Sequence, residues 1–188
     1  MRRVIFGINI SLDGCCDHTR FNPGPDKEIL DYFTQLMLDA DTLVYGRKTY
    51  ELMVPYWPDI AKNHTGDSPG ENEFAQAFAA IPGTIVFSKS LRGTEAKTTT
   101  VIATDIGETI LQLKKEEGKN ISTGGVDIPS QLMALDLIDE YHFVVHPIIA
   151  GAGARLLDGI NLPGRPPLKL VAAKIFKSGC VALHYVKQ

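Results

Sequence analysis

Three short segments place polar or flexible residues directly after a predicted strand, where a ligand could bind. The first segment consists of Gly46, Arg47, Lys48 and Thr49. It follows an apolar run at residues 42–45 and precedes a predicted helix. A helix N-terminus attracts anions and disfavours cations, so two cations there need either a bound anion or full exposure. The segment is therefore either a phosphate-binding turn or an exposed basic loop, and the local sequence favours neither interpretation.

The other two segments repeat this arrangement further along the chain. The second consists of Ser88 and Lys89, which follow the predicted strand TIVF, and the third consists of Gly124, Gly125, Val126 and Asp127, which follow the predicted strand NIST. Each segment alone is also typical of an ordinary turn. In an open α/β sheet, however, ligands bind outside the carboxyl ends of the parallel strands. The three strand exits together therefore predict a pyrophosphate-binding edge of the sheet.

Two carboxylates are candidates for donating a proton to a substrate. Asp13 ends the first predicted strand, and Asp31 lies on the first predicted helix, one position out of phase with its apolar residues. A solvated helix face is the more ordinary position for such a residue. Tyr50 and Trp57 could supply an aromatic wall, although packing in the core is the more ordinary role for both.

Two further patterns are not interpreted as sites. His142 and His146 could share a strand face, but no carboxylate or thiolate stands at ligand spacing, so no metal site is predicted. His18 and His64 lie in predicted loops and could touch a substrate. The segment GAGARL at residues 151–156 has two glycines of a dinucleotide-binding fingerprint, but it lacks the third and has no acidic residue about 20 positions later. That fingerprint is therefore excluded.

The composition is that of an ordinary globular protein and excludes several classes. The chain has 188 residues, 44% hydrophobic and 22% charged, with a net charge of −3. No global positive field favours nucleic acid or an anionic membrane, and no apolar run is long enough to span a bilayer. The three cysteines include an adjacent pair and form neither a disulfide framework nor a CxxC motif. The absence of a signal-peptide pattern and of a disulfide framework predicts a cytoplasmic protein.

The predicted elements form a single domain over residues 1–188. Strands and helices alternate in the first part of the chain, which predicts a largely parallel sheet. The last part is strand after strand, with a hairpin turn at residues 177–179, which predicts an antiparallel extension of that sheet. The polar loop at residues 59–72 is predicted to be a mobile lid.

Five segments in register resemble the dihydrofolate reductase-like superfamily. They are SLDG, YGRKTYE, VFSKS, STGG and HPIIAGAGARLL, and together they span almost the whole chain. The closer resemblance is to stand-alone relatives of the C-terminal reductase domain of bifunctional riboflavin-biosynthesis enzymes. It implies a three-layer α/β fold, with a mixed, mainly parallel sheet, helices on both faces and an antiparallel C-terminal extension. It also implies NADPH as the hydride donor.

The resemblance assigns roles to the strand exits. By it, residues 46–49 hold the phosphate part of the cofactor, residues 88 and 89 lie near the adenosine 2′-phosphate, and Gly124 and Gly125 admit the pyrophosphate. Ser11, Asp13 and Gly14 border the nicotinamide or the substrate. Two separate cationic strand exits also suit a ligand with a pyrophosphate and a distant extra phosphate, which favours NADPH over NADH.

The expected function is an NADPH-dependent reductase that transfers a hydride to a C=N or C=O bond of a small heterocycle, either pterin-like or ribosylaminopyrimidine-like. The zinc deaminase signatures that usually accompany the riboflavin enzymes are absent from this sequence. The acidic residue that contacts the pterin in dihydrofolate reductases is matched only approximately by Asp31. The alternative is an NADP(H)-binding protein without turnover, acting in sensing or assembly. The long C-terminal strands make a homodimer plausible.

Overall fold

One eight-stranded sheet organises the chain. The computed structural model describes residues 1–20, 26–94, 96–164 and 166–188. The strands are β1 (Val4–Ser11), β2 (Ala40–Gly46), β3 (Gly83–Phe87), β4 (Thr99–Ile102), β5 (Asn120–Thr123), β6 (Glu140–His146), β7 (Leu168–Ile175) and β8 (Val181–Lys187). Their order is β4-β3-β2-β5-β1-β6-β8-β7. Strands β1 to β6 pair in parallel, whereas β8 pairs antiparallel with both β6 and β7. This confirms the predicted mixed sheet with its antiparallel extension.

Six helices connect and cover the parallel strands. They are α1 (Lys27–Leu38), α2 (Arg47–Met53), α3 (Tyr56–Asn63), α4 (Pro69–Ala79), α5 (Ile106–Lys115) and α6 (Asp127–Ala134). Alternation along β1 directs Phe6 and Ile8 into a core with Ile110 of α5 and Leu132 of α6. Gly7, between them, faces the opposite side of the sheet, where α1 packs. The helices therefore form layers on both faces, as the resemblance implies.

Side-chain caps begin three of the helices where the sequence places cap residues. Asp26 accepts hydrogen bonds from the backbone N–H groups of Glu28 and Ile29 at the start of α1. Asp105 caps α5 in the same way, and Ser68 caps α4. An N-cap of this kind stabilises a helix by about 1 kcal/mol. The loop predicted just before Asp26 lies largely at residues 22–25, outside the described residues.

The predicted lid at residues 59–72 is wrong. Helix α3 runs to Asn63, and α4 begins at Pro69, so only residues 64–68 connect them. The two helices pack through Ile60, Ala61 and Ala75, and the Gln76 side-chain amide donates to the Ala61 carbonyl at 2.6 Å. The polar residues that suggested a loop occupy exposed helix faces, and proline is tolerated in the first turn of a helix.

The C-terminal hairpin forms as predicted. Strands β7 and β8 are joined by a turn at residues 177–179, in which Gly179 has φ of +83°, a left-handed conformation that favours glycine. All eight residues of β7 are exposed. Among the described residues, no helix is long and apolar enough to cross a membrane.

Candidate functional site

A large cavity opens at the carboxyl edge of the parallel strands. Its volume is about 1150 Å³, and it runs from the groove between β1 and α1 to the turns that follow β2 and β5. This is the edge at which an open α/β sheet binds ligands. The cavity has two chemically different ends, a polar one at the turns and an apolar one beside α1.

The polar end contains the first and third predicted strand exits. The cavity is lined by Gly46, Arg47, Lys48, Thr49, Gly124, Gly125, Val126 and Asp127. No side chain caps the N-terminus of α2, whose N-cap residue is Gly46. The Arg47 guanidinium contacts the Glu51 carboxylate at 2.8 and 3.1 Å, while Lys48 is exposed. The structure therefore brings together eight of the ten predicted cofactor residues.

Gly125 leaves space in this polar end that no other residue could leave. Its φ is +82°, and a Cβ built on it would lie 2.2 Å from Thr49 Oγ1. The Thr49 hydroxyl thus lies directly against the glycine backbone. The turn forms a cradle of backbone and hydroxyl groups beside two cations, and these groups fit a pyrophosphate.

The second strand exit lies on the same edge but outside the cavity. Phe87, which ends β3, pairs with Gly46 of β2, so the following residues sit beside the polar end. The Ser88 hydroxyl accepts hydrogen bonds from the backbone N–H groups of Ser90 and Leu91, at 3.2 and 3.0 Å. Ser88 therefore stabilises the turn, and Lys89 is exposed on it.

The apolar end is a slot between β1 and α1. Ile29 and Phe33 of α1 line it, and Gly7 forms its floor, where a Cβ would approach Phe33 at 3.3 Å. Trp57 also lines the cavity and packs edge to face on Phe74, with ring centroids 4.6 Å apart. The predicted aromatic wall is thus present at Trp57. Apolar and aromatic walls of this kind suit a planar ring.

Asp13 and its neighbours, expected to border the substrate, lie outside the cavity lining. A hydrogen bond from the Ser11 hydroxyl, at 2.6 Å, and further bonds from the backbone N–H groups of Ala150 and Gly151 hold the pKa of Asp13 well below its usual range. A carboxyl group so stabilised as the anion does not donate a proton at neutral pH. Asp13 therefore anchors the loop after β6. Gly14, with φ of +79°, lies in this turn, and neither it nor Ser11 lines the cavity.

Asp31 and Tyr50 are also misplaced by the sequence analysis. Asp31 lies on a separate surface groove, where the Lys27 ammonium group contacts its carboxylate at 2.8 Å and 45% of its side chain is exposed. Tyr50 is buried, and its hydroxyl bonds to the hydroxyl of Thr94. Each residue therefore takes its more ordinary role: Asp31 lies on a solvated helix face, and Tyr50 packs in the core.

The cavity contains several residues that the sequence analysis did not single out as site residues. Asp26 lines it: burial raises its pKa, but hydrogen bonds from the Ser178 hydroxyl and from the N–H groups of Ile29 and Glu28 outweigh this and lower the pKa overall. Cys16 also lines it, and burial raises the pKa of this thiol to about 11. Asp26 is therefore an anion at neutral pH, and Cys16 is a neutral thiol.

The histidines are distributed differently from expectation. His18 lines the cavity, whereas His64 ends α3 outside the lining. His142 is accompanied by a carboxylate after all, because the Glu140 carboxylate lies 3.6 Å from it and 3.0 Å from His184 on the paired strand. The two imidazole rings stack with an interplanar angle of 18°. One ligand atom from each of Glu140, His142 and His184 lies within 4.8 Å of the others, so these residues do stand at ligand spacing, contrary to the expectation from the sequence.

The loop after β6 contributes a wall that a motif search does not find. Ala154, Asp158 and Ile160 line the cavity, although residues 151–156 carry neither strand nor helix, in agreement with the rejected fingerprint. A Cβ on Gly153 would lie 2.6 Å from Cys15 Sγ. The glycines here allow close packing of the loop on residue 15.

Comparison with known proteins agrees with this architecture. Residues 2–183 match the family described as the RibD C-terminal domain. The chain is 31% identical over 188 residues to the uncharacterized protein YyaP of Bacillus subtilis strain 168, covering 98% of this chain and 94% of that protein.

Solved structures share the fold at low identity. A Shewanella sp. PV-4 protein assigned to riboflavin biosynthesis superposes with a TM-score of 0.72 at 20% identity, covering 100% of this chain and 99% of that one. A deaminase/5-amino-6-(5-phosphoribosylamino)uracil reductase from Thermotoga maritima gives a TM-score of 0.67 at 15% identity. The alignment covers all of this chain and 57% of that one.

Proposed function

The chain belongs to the RibD C-terminal domain family, and from this premise we propose that it is an NADPH-dependent reductase of a small heterocyclic substrate. The observation that carries the proposal is the single cavity that joins a glycine cradle with two cations to an apolar slot. A dinucleotide needs the first end and a planar substrate needs the second. Hydride transfer requires both molecules to meet in one water-poor space.

The residues at the polar end hold the cofactor in this proposal. Arg47, Lys48 and the Thr49 hydroxyl bind phosphate oxygens, and the glycine cradle at Gly124 and Gly125 lets the backbone approach the pyrophosphate. The bound nicotinamide supplies the hydride.

The residues at the apolar end orient the substrate. Ile29, Phe33 and Trp57 exclude water and position a flat ring. His18 also lines the cavity, and its imidazole is the group proposed to donate the proton that completes the reduction. Asp26, as an anion, does not fill that role.

Turnover tests the proposal directly. Purified protein is mixed with NADPH and a substrate panel that includes dihydrofolate and 5-amino-6-(ribosylamino)uracil, and the loss of reduced-nicotinamide absorbance is followed. The proposal expects oxidation that depends on both protein and substrate. Tight NADPH binding without oxidation across the panel would instead support an NADP(H)-binding protein, which the ionised state of Asp13 and Asp26 favours. Absence of NADPH binding contradicts both functions.

Replacing Asp31 by asparagine is expected to leave turnover within about 2-fold of the wild type, because this carboxylate lies outside the cavity. The exposed pair with Lys27 contributes at most about 0.5 kcal/mol to stability. Steady-state kinetics and denaturant unfolding check both values. A loss of turnover of more than about 10-fold, with folding intact, would show that Asp31 acts on the substrate after all.

We also propose that the protein forms a homodimer through an uncovered sheet face. On the side away from α1, the central parts of strands β6, β8 and β7 present uncharged side chains, which we call the open face, and Lys187 at the end of β8 lies at its edge. The open face consists of Phe143, Val145, Leu170, Ala173, Ile175, Val181 and Leu183. Leu170 is 49% exposed and Ile175 is 79% exposed. A contiguous apolar surface of this kind is typical of an interaction site.

A second copy fits the open face better than a charged partner would. A two-fold interface brings the same surface together twice, so any charge at its centre would meet a like charge. None of the seven residues carries one, whereas Lys174, on the opposite side of β7, does. Self-association therefore buries apolar area without opposing like charges.

The Ile175→Glu variant is expected to be monomeric, because it places two like charges within the proposed interface. Light scattering after gel filtration should give twice the chain mass of 20.6 kDa for the wild type and one chain mass for the variant. Lys174→Glu is the matched control and should remain dimeric. A monomeric wild type, or a dimeric Ile175→Glu, contradicts the proposed interface.

A further inference from the structure

Three hydrogen-bonded side chains connect the protein interior to the cavity wall. Cys180 and His146 are buried, with 4% and 2% of their surfaces exposed. Cys180 Sγ lies 3.3 Å from His146 Nδ1, and His146 Nε2 lies 2.8 Å from Asn9 Oδ1. Asn9 lines the cavity on the α1 side of β1. The two hydrogen bonds therefore link two buried groups to a side chain that a substrate would touch.

The chemistry of the three side chains determines which atom donates in each hydrogen bond. A carbonyl oxygen can only accept a hydrogen bond, so His146 Nε2 carries the hydrogen that bonds to Asn9 Oδ1. Burial lowers the pKa of His146, which favours the neutral ring despite the nearby Asp26 carboxylate. Nδ1 of a neutral ring with hydrogen on Nε2 is an acceptor, so the Cys180 thiol donates to it. Both hydrogen bonds then point one way, from Cys180 to Asn9.

The position of Oδ1 determines which end of the Asn9 amide faces the cavity. The oxygen is engaged by His146, and the Nδ2 group makes no hydrogen bond to any residue that the structure describes. With Oδ1 at His146 Nε2, the two N–H groups of the amide remain for the cavity side. The cavity wall at Asn9 thus presents two donors.

We propose that Asn9 is a specificity-determining residue that selects substrates carrying a carbonyl oxygen on the ring, as a hydrogen-bond acceptor, at that point of the slot. His146 and Cys180 are positioning residues, which act through Asn9. The inference rests on the proposed function, because it places the substrate ring beside α1. A site built to donate hydrogen bonds rejects an isostere that presents a donor in place of the acceptor.

Matched heterocycles test the proposal in the NADPH complex. The probes are two pairs, uracil with cytosine and pterin with 2,4-diaminopteridine, in which an amino group replaces a carbonyl oxygen attached to the ring. Dissociation constants are measured for each probe with saturating NADPH. The wild type is expected to bind at least one oxo compound about 10-fold more tightly than its amino partner. Asn9→Asp, which presents only acceptors, is expected to reverse the order.

The ratio of the dissociation constants of the amino and oxo compounds also tests the positioning residues. His146→Phe should reduce the oxo preference to less than about 3-fold, because nothing then holds the amide. His146→Gln can still donate to Asn9 and should restore part of the preference. A purely structural role would lower stability without changing the ratio. Thermal melting of each variant shows which are folded. If His146→Phe is unfolded, the proposal is tested with Asn9→Asp alone.

Separate outcomes distinguish the two proposals. If the wild type does not bind NADPH, the proposed function fails. If NADPH binds but the oxo and amino members bind equally, or neither member of either pair binds, the assignment of Asn9 is overturned while the reductase proposal stands. An unchanged order in Asn9→Asp also overturns it.

Discussion

Replacing Gly125 by alanine is expected to weaken NADPH binding by more than about 10-fold, which corresponds to about 1.4 kcal/mol. The added Cβ would lie 2.2 Å from Thr49 Oγ1, well inside any normal contact distance. The φ of +82° adds a backbone cost of about 1 kcal/mol for a residue other than glycine. Relief of either strain moves the turn or Thr49 away from the proposed phosphate position. Isothermal titration with NADPH measures the loss.

Two further variants separate the steric effect from general backbone strain. Gly151 has a similar φ of +74°, but a Cβ there would meet no atom within 4 Å, so Gly151→Ala should bind NADPH nearly as the wild type does. Adding Thr49→Ala to Gly125→Ala removes the contacting oxygen and should recover part of the binding. Wild-type affinity in Gly125→Ala would show that the cofactor does not use this cradle.

Replacing Lys89 by alanine is expected to weaken NADPH binding by about 10-fold and NADH binding by less than about 2-fold. A charge-assisted hydrogen bond to a phosphate contributes about 1.5–3 kcal/mol, and this lysine is exposed, so the lower end applies. Only NADPH carries the 2′-phosphate that the residue is proposed to contact. Dissociation constants for both cofactors, measured at low and high salt, check the difference.

The control for this experiment is another exposed lysine that lies on a helix and does not line the cavity. Lys62, in the last turn of α3, serves this purpose, and Lys62→Ala should change neither affinity. The NADPH preference of the wild type should shrink as salt rises, since exposed charges are screened. Equal losses for NADPH and NADH in Lys89→Ala would mean that this side chain does not read the 2′-phosphate.

The sequence predicts the sheet and the polar end of the site well because both depend on local patterns. Apolar runs ending at Gly46 and Gly124 mark strands that finish at one edge, and parallel strands bring such ends together without further information. The paired glycines predict a turn that allows close backbone approach, and the structure places Thr49 against Gly125 in that turn. For these residues, the local sequence that ends a strand also determines the position at the sheet edge.

The proton donors and the lid could not be predicted because they depend on partners distant in sequence. Asp13 resembles a cleft carboxylate until Ala150 and Gly151 are seen to donate to it, more than 130 positions away along the chain. Asp31 is one helical position from the slot, and a phase error of that size moves a side chain to another face. In the same way, the polar residues of α3 suggested a loop, because only its packing on α4 makes the helix stable.

The role of Asn9 could not be predicted from the sequence either, because it also depends on residues distant along the chain. An asparagine inside an apolar strand carries no motif, and its role depends on His146 in β6 and Cys180 in the hairpin. Strand pairing aligns Asn9 with Val144, two residues from the histidine. Only the register of β1 against β6 reveals the contact.

The emission of Trp57 tests the central claim, that this cavity binds NADPH, most directly. It is the single tryptophan of the chain and lines the cavity. Titration with NADPH should quench its emission and sensitise that of the reduced nicotinamide, with half-maximal effect at about 1–100 µM, and NADH should bind more weakly. Trp57→Phe should remove the signal, and Gly125→Ala should shift it to higher concentration. Unchanged Trp57 emission up to millimolar NADPH would contradict the account.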